Sequence, residues 1–351
     1  MLHKLSAYGI TGSLLNWICD FLTARIQRTR VGTSLSNIAL TISGVVQGSC
    51  LGPILFLIYI NDVVDLFSSS GFCKLYADDV KIYTDICHNE DAAKCLQINL
   101  DKLFDWSALW QLPLSYDKCT VIVFSDGHSN KQFRTHTLNN TPMHFVTEIV
   151  DLGVTIDTNM KFVNHFTNII RKASTKANLI IRGFISKNAV SLVRAFKIYV
   201  RPILEYCSPI WNPHLIKDIT RIESVQRHFT KRLIGMRNKT YEQRLIALGL
   251  ESLEIRRLRI DLLTIYKIIF GHLRVNINEF FVIRGKTSLR GHDYKISLPL
   301  CHKSIRLNFL SYRVLFAWNN LPLTTNFSSI NGFKHSLLST YLVHYCKVNF
   351  H

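Results

Sequence analysis

The sequence lacks an apolar run long enough to cross a bilayer. Its most hydrophobic window, Pro53 to Ile60, is eight residues, well short of the roughly 18 that a spanning helix needs. The first residues are equally poor in signal-peptide character, because the apolar stretch that follows Lys4 is broken at Gly9. Membrane insertion and secretion are therefore not expected. The nine cysteines are odd in number and include no Cys-x-x-Cys spacing. That argues for a reducing, intracellular compartment and against a disulfide framework or a structural zinc site. Nucleus and cytoplasm both remain open, since no clear basic import signal stands out. The 14 histidines offer no His-x-x-x-His pair with acidic neighbours. Nothing in the sequence fixes an oligomeric state.

Acidic residues are scarce in one half only. Residues 1 to 160 hold 11 basic and 15 acidic side chains, a net of −4, whereas residues 161 to 351 hold 31 and 9, a net of +22. The second half carries the entire excess of the +18 chain. Its basic residues alternate with apolar helical stripes: Arg171, Lys172, Lys176 and Arg182, then Arg194, Lys197 and Arg201, then Arg221, Arg227, Lys231, Arg232 and Arg237. Such faces suit salt-sensitive contact with a nucleic-acid backbone. Taken alone they also read as solvated helix surfaces.

Two motifs in the first half carry chemistry. Cys73-Lys74-Leu75-Tyr76-Ala77-Asp78-Asp79-Val80-Lys81-Ile82-Tyr83 sets two adjacent carboxylates between β-prone arms, which predicts strand, turn, strand. A hard divalent cation takes one or two carboxylates and completes its shell with substrate phosphates, so such a tip could serve it. By itself the pair is a solvated turn. Upstream lies Ser43-Gly44-Val45-Val46-Gln47-Gly48-Ser49-Cys50-Leu51-Gly52-Pro53, a loop running into an apolar helix that ends Ile60-Asn61-Asp62. Its glycines allow close backbone approach, Ser49 could cap the helix, and Pro53 suits a first helical turn.

The Gly-x-x-Gln-Gly-Ser-x-Leu-Gly-Pro loop, the helix closing on Ile-Asn-Asp and the Tyr-Ala-Asp-Asp hairpin together resemble the reverse transcriptases of non-LTR (LINE-like) retrotransposons. Later segments match in the same order. They are Gly9-Ile10 through Arg28-Thr29, Trp106 to Lys118, Val150 to Asp157, Arg201-Pro202-Ile203-Leu204-Glu205-Tyr206-Cys207 and Glu223-Ser224-Val225-Gln226-Arg227. The resemblance covers nearly the whole chain.

It implies an RNA-directed DNA polymerase that acts on an RNA template, a DNA primer and deoxynucleoside triphosphates with Mg2+ or Mn2+. Asp78 would be the principal metal ligand and Asp79 the secondary one. Gln47, Gly48 and Tyr76 would contact nucleotide or template. Lys118 would lie near the outgoing pyrophosphate, although it also reads as a surface lysine at a strand start. Leu152 and Gly153 would grip the primer. Arg171, Lys172, Lys176, Arg182, Arg227, Lys231 and Arg232 would follow the nucleic-acid backbone.

Two departures stand out. Val46 replaces the usual Pro and should loosen the loop modestly. The strand carrying the family's third metal-binding Asp has no equivalent, because Asp20 falls in an amphipathic helical pattern. Met1 is therefore expected to begin a fragment or a misassigned reading frame. The chain is expected to bind magnesium weakly and to polymerise poorly or not at all; the alternative is a catalytically dead nucleic-acid-binding remnant. The acid-poor region after 270 is not expected to form a ribonuclease H, and no endonuclease segment is visible.

The expected fold is α+β: a partial polymerase palm, an antiparallel sheet with helices over 1–158, followed by an all-α thumb-like region over 159–271 and a C-terminal helical segment of unknown role over 272–351. Helices are predicted near 12–23, 53–67, 90–110, 162–182, 189–205, 214–236, 241–248, 252–271, 304–320 and 331–345. Strands are predicted near 27–31, 38–42, 73–77, 80–84, 119–124 and 149–156, with a linker near 272–302.

Overall fold

The computed structural model describes residues 1–67, 72–85, 92–124, 135–284 and 291–348. Positions 90–91 of the helix expected near 90–110 and 285–290 of the expected linker lie outside them. The chain is a mixture of helices and small sheets, an α+β arrangement. It divides into two compact units, Met1–Val121 with His128–Val146, and Ile122–Gly127 with Thr147–His351.

In the first unit, α1 (Leu2–Ala7), α2 (Gly12–Leu22) and α3 (Gly52–Ile60) meet around Leu5, Ile18 and Leu55. Between α2 and α3 the expected strands break into four short ones: β1 (Ile26–Gln27), β2 (Arg30–Val31), β3 (Ser34–Leu35) and β4 (Ala39–Leu40). Ile26 pairs with Leu40 and Arg30 with Leu35, both antiparallel. All eight of these strand residues are exposed, so no buried face enforces a longer register.

The helix predicted over 53–67 changes character at its middle. From Asn61 to Phe67 the chain is a 3-10 helix. Lys4 Nζ takes the Tyr59 carbonyl oxygen at 2.5 Å, the oxygen a continuing α-helix would offer to Val63, and reaches the Asp62 carboxylate at 2.8 Å. The same ammonium lies 3.6 Å from the Trp110 ring centroid and 5.4 Å from that of Trp106. This is how a lysine is tolerated in a buried position: its charge is paired, hydrogen-bonded and faced by aromatic quadrupoles. The Ile-Asn-Asp ending thus anchors α1.

Next come β5 (Phe72–Tyr76), β6 (Asp79–Tyr83), α4 (Ala92–Leu109), β7 (Thr120–Ile122), β8 (Thr137–Leu138), β9 (Thr141–Pro142) and β10 (His144–Val146). Ile60, Val63, Phe67, Leu103 and Trp106 form a core that receives Cys73, Leu75, Val80 and Ile82 from one face of the β5–β6 hairpin. The alternation of the two strands produces that face.

The second unit opens on the hairpin β11 (Glu148–Asp151) and β12 (Val154–Asp157) and then becomes helical: α5 (Val163–Gly183), α6 (Ala189–Tyr199), α7 (Arg201–Glu205), α8 (Ser208–Trp211), α9 (Ile216–Lys231), α10 (Tyr241–Leu248) and α11 (Leu253–Ile269). The helix predicted over 189–205 breaks at Val200, because Pro202 has no N–H for the turn before it and instead starts α7. One core spans Val154 to Leu253 and includes Phe196, Trp211 and Phe229. A second joins α11 to the C-terminal segment through Tyr266, Trp318 and Phe333. That segment is not the two long helices the pattern suggests. It is α12 (Ser304–Asn308), α13 (Leu310–Arg313), α14 (Leu315–Asn319), α15 (Ile330–Ser336), α16 (Ser339–Leu342) and a 3-10 turn, Val343–Tyr345.

Buried polar groups cross-link this unit. Glu223 accepts from Tyr241 Oη at 2.5 Å and from the Leu253 amide at 2.9 Å, while Gln226 donates to the Glu251 carbonyl at 2.9 Å. Asp261 accepts from Asn212 at 2.9 Å and from both Nε and Nη2 of Arg313, the closest at 2.9 Å. Burial raises the Glu223 carboxyl above the usual carboxylate range despite these donors. Among the described residues, no helix is long and apolar enough to cross a membrane.

Candidate catalytic hairpin and nucleic-acid surface

Both acids of the Tyr-Ala-Asp-Asp motif sit at the end of the β5–β6 hairpin, but the turn is one residue earlier than the sequence suggests. Tyr76 pairs with Asp79, Leu75 with Val80 and Cys73 with Ile82. The turn is therefore Ala77-Asp78, and Asp79 is the first residue of β6. This register keeps Leu75, Val80, Cys73 and Ile82 on the one face that packs on the core. Ala77 takes a left-handed φ of 52°, a conformation that costs an alanine roughly 1–2 kcal/mol and that the hairpin's packing must sustain.

Asp78 and Asp79 are both exposed. Asp78 stands on the turn, and Asp79 shares the open face with Tyr76, Lys74 and Lys81. Beyond these, Phe72 stacks on Tyr83 across the strands with centroids 5.2 Å apart. Two carboxylates on a rigidly backed tip fit a magnesium-type ion, which needs one or two such ligands beside phosphate oxygens. Among the described residues, no three His, Cys, Asp or Glu side chains group to hold a metal.

Gln47 and Gly48 form an exposed turn with Gly48 at φ 85°. The loop is braced from both sides. Ser49 Oγ donates to the Val46 carbonyl at 2.7 Å and accepts from the Gly52 amide at 3.1 Å, so it serves the free N-terminus of α3 even though Leu51 is the formal cap. A Cβ on Gly52 would lie 2.9 Å from Ser49 Oγ and 3.3 Å from the Val46 oxygen, which is why this position is glycine. Arg25 supplies the other brace, with Nη2 2.6 Å from the Gly44 carbonyl and Nε 3.1 Å from that of Leu22. Sequence reasoning missed Arg25, whose reach depends on the left-handed φ of 53° at Ala24.

Lys118 ends the 3-10 turn Tyr116–Lys118 just before β7 and is exposed. The hairpin brings Tyr76, Asp78 and Asp79 together, whereas Gln47–Gly48 and Lys118 stand on separate segments of the same unit.

In the second unit, Leu152 and Gly153 are the two-residue turn between β11 and β12, with φ of 45° and 84°. The hairpin is tied to the helices behind it. The Asp157 carboxylate accepts from the amides of Asn159, Lys161 and Phe162 and so ties down the turn that leads into α5. His165, on α5, accepts the Thr155 amide at Nδ1, 3.2 Å away, and packs against Trp211 at 5.1 Å. That bond fixes the neutral, Nε2-protonated imidazole. Burial, reinforced by Lys172, lowers its pKa to about 4. The unfolded chain, with a histidine near 6.5, therefore takes up the proton first. Stability from the neutral ring is whole above pH ~6.5 and declines as pH falls towards 4. Urea titrations across that window should show a falling midpoint, and His165→Asn, which keeps an acceptor but does not titrate, should flatten the decline.

Arg171, Lys172, Lys176 and Arg182 are exposed on α5, Arg227 and Lys231 on α9, and Arg232 at its C-cap. Arg221 Nη2 bonds Thr167 Oγ1 at 2.9 Å and Arg232 Nη1 bonds Asn178 Oδ1 at 2.5 Å, both across 54 residues. The equal offset shows that α5 and α9 run side by side in the same direction. Both helices therefore carry exposed basic side chains next to one another.

The described residues thus offer an exposed paired-carboxylate hairpin, a glycine-bearing loop ahead of a partly exposed apolar helix, and exposed basic side chains on two neighbouring helices. Residues 1–156 match the family described as reverse transcriptase (RNA-dependent DNA polymerase). The chain is 26% identical over 212 residues to the RNA-directed DNA polymerase from mobile element jockey of Drosophila funebris, covering 57% of this chain and 23% of that protein. It is 26% identical over 225 residues to the jockey polymerase of Drosophila melanogaster, covering 62% and 24%. It is also 26% identical over 227 residues to the probable RNA-directed DNA polymerase from transposon X-element of the same fly, again covering 62% and 24%. No solved structure matches the chain. The chain spans about a quarter of the length of these curated relatives. Residues 1–156 thus match a reverse transcriptase domain, and the chain is similar to polymerases of the LINE-like, non-LTR retrotransposon kind.

Proposed function

We propose that this chain contributes the catalytic hairpin and the nucleic-acid clamp of an RNA-directed DNA polymerase, with an RNA template, a DNA primer and deoxynucleoside triphosphates as its partners. The observation that carries the reading is the Tyr76–Asp79 register, which packs one hairpin face and leaves both carboxylates exposed at the end. Asp78 and Asp79 would hold Mg2+ or Mn2+, with Asp78 the principal ligand because it stands on the turn. Such an ion supplies charge neutralisation to attacking and leaving oxygens in phosphoryl transfer.

Tyr76, beside Asp79 on the open face, and the Gln47-Gly48 turn would contact nucleotide or template. An ammonium at Lys118 would stabilise charge on the departing pyrophosphate. Leu152 and Gly153 would bear on the primer end. Arg171, Lys172, Lys176, Arg182, Arg227, Lys231 and Arg232 would follow the heteroduplex backbone, with the helices of 159–271 acting as the thumb.

The test is magnesium-dependent extension of a DNA primer on an RNA template. Asp78→Asn should reduce the rate by about two orders of magnitude, the scale on which one preorganised electrostatic group acts. Extension by the parent chain no faster than by Asp78→Asn, with heteroduplex binding intact, would overturn the catalytic reading and leave a nucleic-acid-binding remnant.

A further inference from the structure

We infer that Tyr206 is a positioning residue for the primer end, acting through the Leu152–Gly153 turn. The inference rests on the reading of that turn as the primer contact.

Leu152 is an unusual occupant of its position. A two-residue hairpin turn with both residues at positive φ favours Asn-Gly or Asp-Gly, and a branched apolar side chain in the left-handed region is a steric outlier. Leu152 nevertheless sits at φ 45° and remains 38% exposed. Burial of its side chain therefore does not account for the strain. Such a conformation persists only where its surroundings over-determine it, and strained positions cluster where a side chain must be presented.

What over-determines it is Tyr206. Its hydroxyl donates to the Leu152 carbonyl oxygen at 3.0 Å. Its ring lies against the same turn, where a Cβ on Gly153 would sit 3.6 Å from the ring edge. Tyr206 is itself held: the Trp211 indole donates to its carbonyl at 2.8 Å, and its amide donates to the Pro202 carbonyl at 2.9 Å. Immediately before it, Glu205 is ion-paired with Arg256, and immediately after it Cys207 turns the chain at φ 56°. The Arg-Pro-Ile-Leu-Glu-Tyr-Cys segment thus builds a fixed post from which one phenol reaches the turn. Tyr206 is 55% exposed, so its hydroxyl contributes little to the core and its geometry serves the turn.

The test uses the full chain with an RNA template annealed to a DNA primer that ends in 4-thiothymidine, photo-cross-linked and mapped by peptide mass. The parent chain should cross-link within residues 150–154. Tyr206→Phe, which keeps the ring and loses one hydrogen bond, should lower that cross-link about fivefold, with heteroduplex affinity and melting temperature unchanged. Amide hydrogen exchange at residues 151–154 of the free chain should quicken by a similar factor, a readout that needs no nucleic acid. Tyr206→Leu, which also removes the ring, should lose more on both measures. A parent cross-link elsewhere would defeat the primer reading of the turn. A cross-link at 150–154 that Tyr206→Phe leaves unchanged, with exchange unchanged, would defeat the role of Tyr206 alone.

Discussion

Arg313→Ala is expected to lower the stability of the second unit by about 3–5 kcal/mol, the cost of leaving one member of a buried ion pair alone. Asp261 is 1% exposed, and Arg313 reaches it through two nitrogens while also donating to the Pro209 carbonyl at 2.8 Å. Removing the guanidinium leaves the carboxylate with Asn212 as its remaining hydrogen-bond donor and leaves the Pro209 carbonyl unpaired. Arg257 is close enough to act on Asp261 by charge, yet its two terminal nitrogens make no hydrogen bond. Calorimetry of the purified chain should show a melting temperature lower by roughly 6–20 °C for a unit of this size. Arg313→Lys should fall between, since an ammonium cannot reproduce the planar fork. The double change Arg313→Met with Asp261→Leu should recover much of the loss, because it removes the stranded charge rather than exposing it.

The second large effect is on nucleic-acid affinity. Seven exposed basic side chains on α5 and α9 are proposed as one phosphate-contacting strip, and each phosphate contact releases counterions. Heteroduplex binding should therefore weaken by about three to four orders of magnitude between 50 and 200 mM salt. Replacing Arg171, Lys172, Lys176 and Lys231 by Ala should reduce the slope of log affinity against log salt by roughly 3.6. Fluorescence anisotropy over a salt series measures this directly. Neutralising the same number of basic residues away from the strip should leave the slope close to the parent value.

Much of the fold was legible where one periodicity dominated. The hairpin could be read because β-prone arms flank Asp78-Asp79, and α5 because its apolar residues recur along one side. The one-residue shift of the turn was not legible, since Ala77 is no turn former and a turn at Ala77-Asp78 or at Asp78-Asp79 leaves the same apolar residues on the core face. By pattern the stretch 149–156 read as a strand, because Leu152 carries no signal for a left-handed turn; the hairpin there was implied only by the resemblance of Val150 to Asp157 to the primer-gripping segment.

Buried charge was the other blind spot. In α11, Glu254, Arg256, Arg257, Arg259 and Asp261 fall on several faces, and periodicity assigns charged residues to solvent. Arg257 is instead fully buried and Asp261 is the centre of a network. The 53–67 segment kept its helical pattern to the end, yet Lys4, more than fifty residues away, redirects its second half by taking the Tyr59 carbonyl. The candidate site itself was found through its motifs, and what they omitted was its support: Arg25 behind the Gln47 loop and Tyr206 behind the Leu152 turn.

On the proposed reading, Asp78 and Asp79 at the hairpin end hold the divalent ion, and iron-directed cleavage locates such an ion: Fe2+ occupies a magnesium-type site and, with ascorbate and peroxide, cuts the backbone nearest to it. With a deoxynucleoside triphosphate present, cuts are expected within residues 76–80 and should vanish in Asp78→Asn while the protein stays folded. Cleavage that falls elsewhere, or that persists at the hairpin without the Asp78 carboxylate, would contradict the assignment.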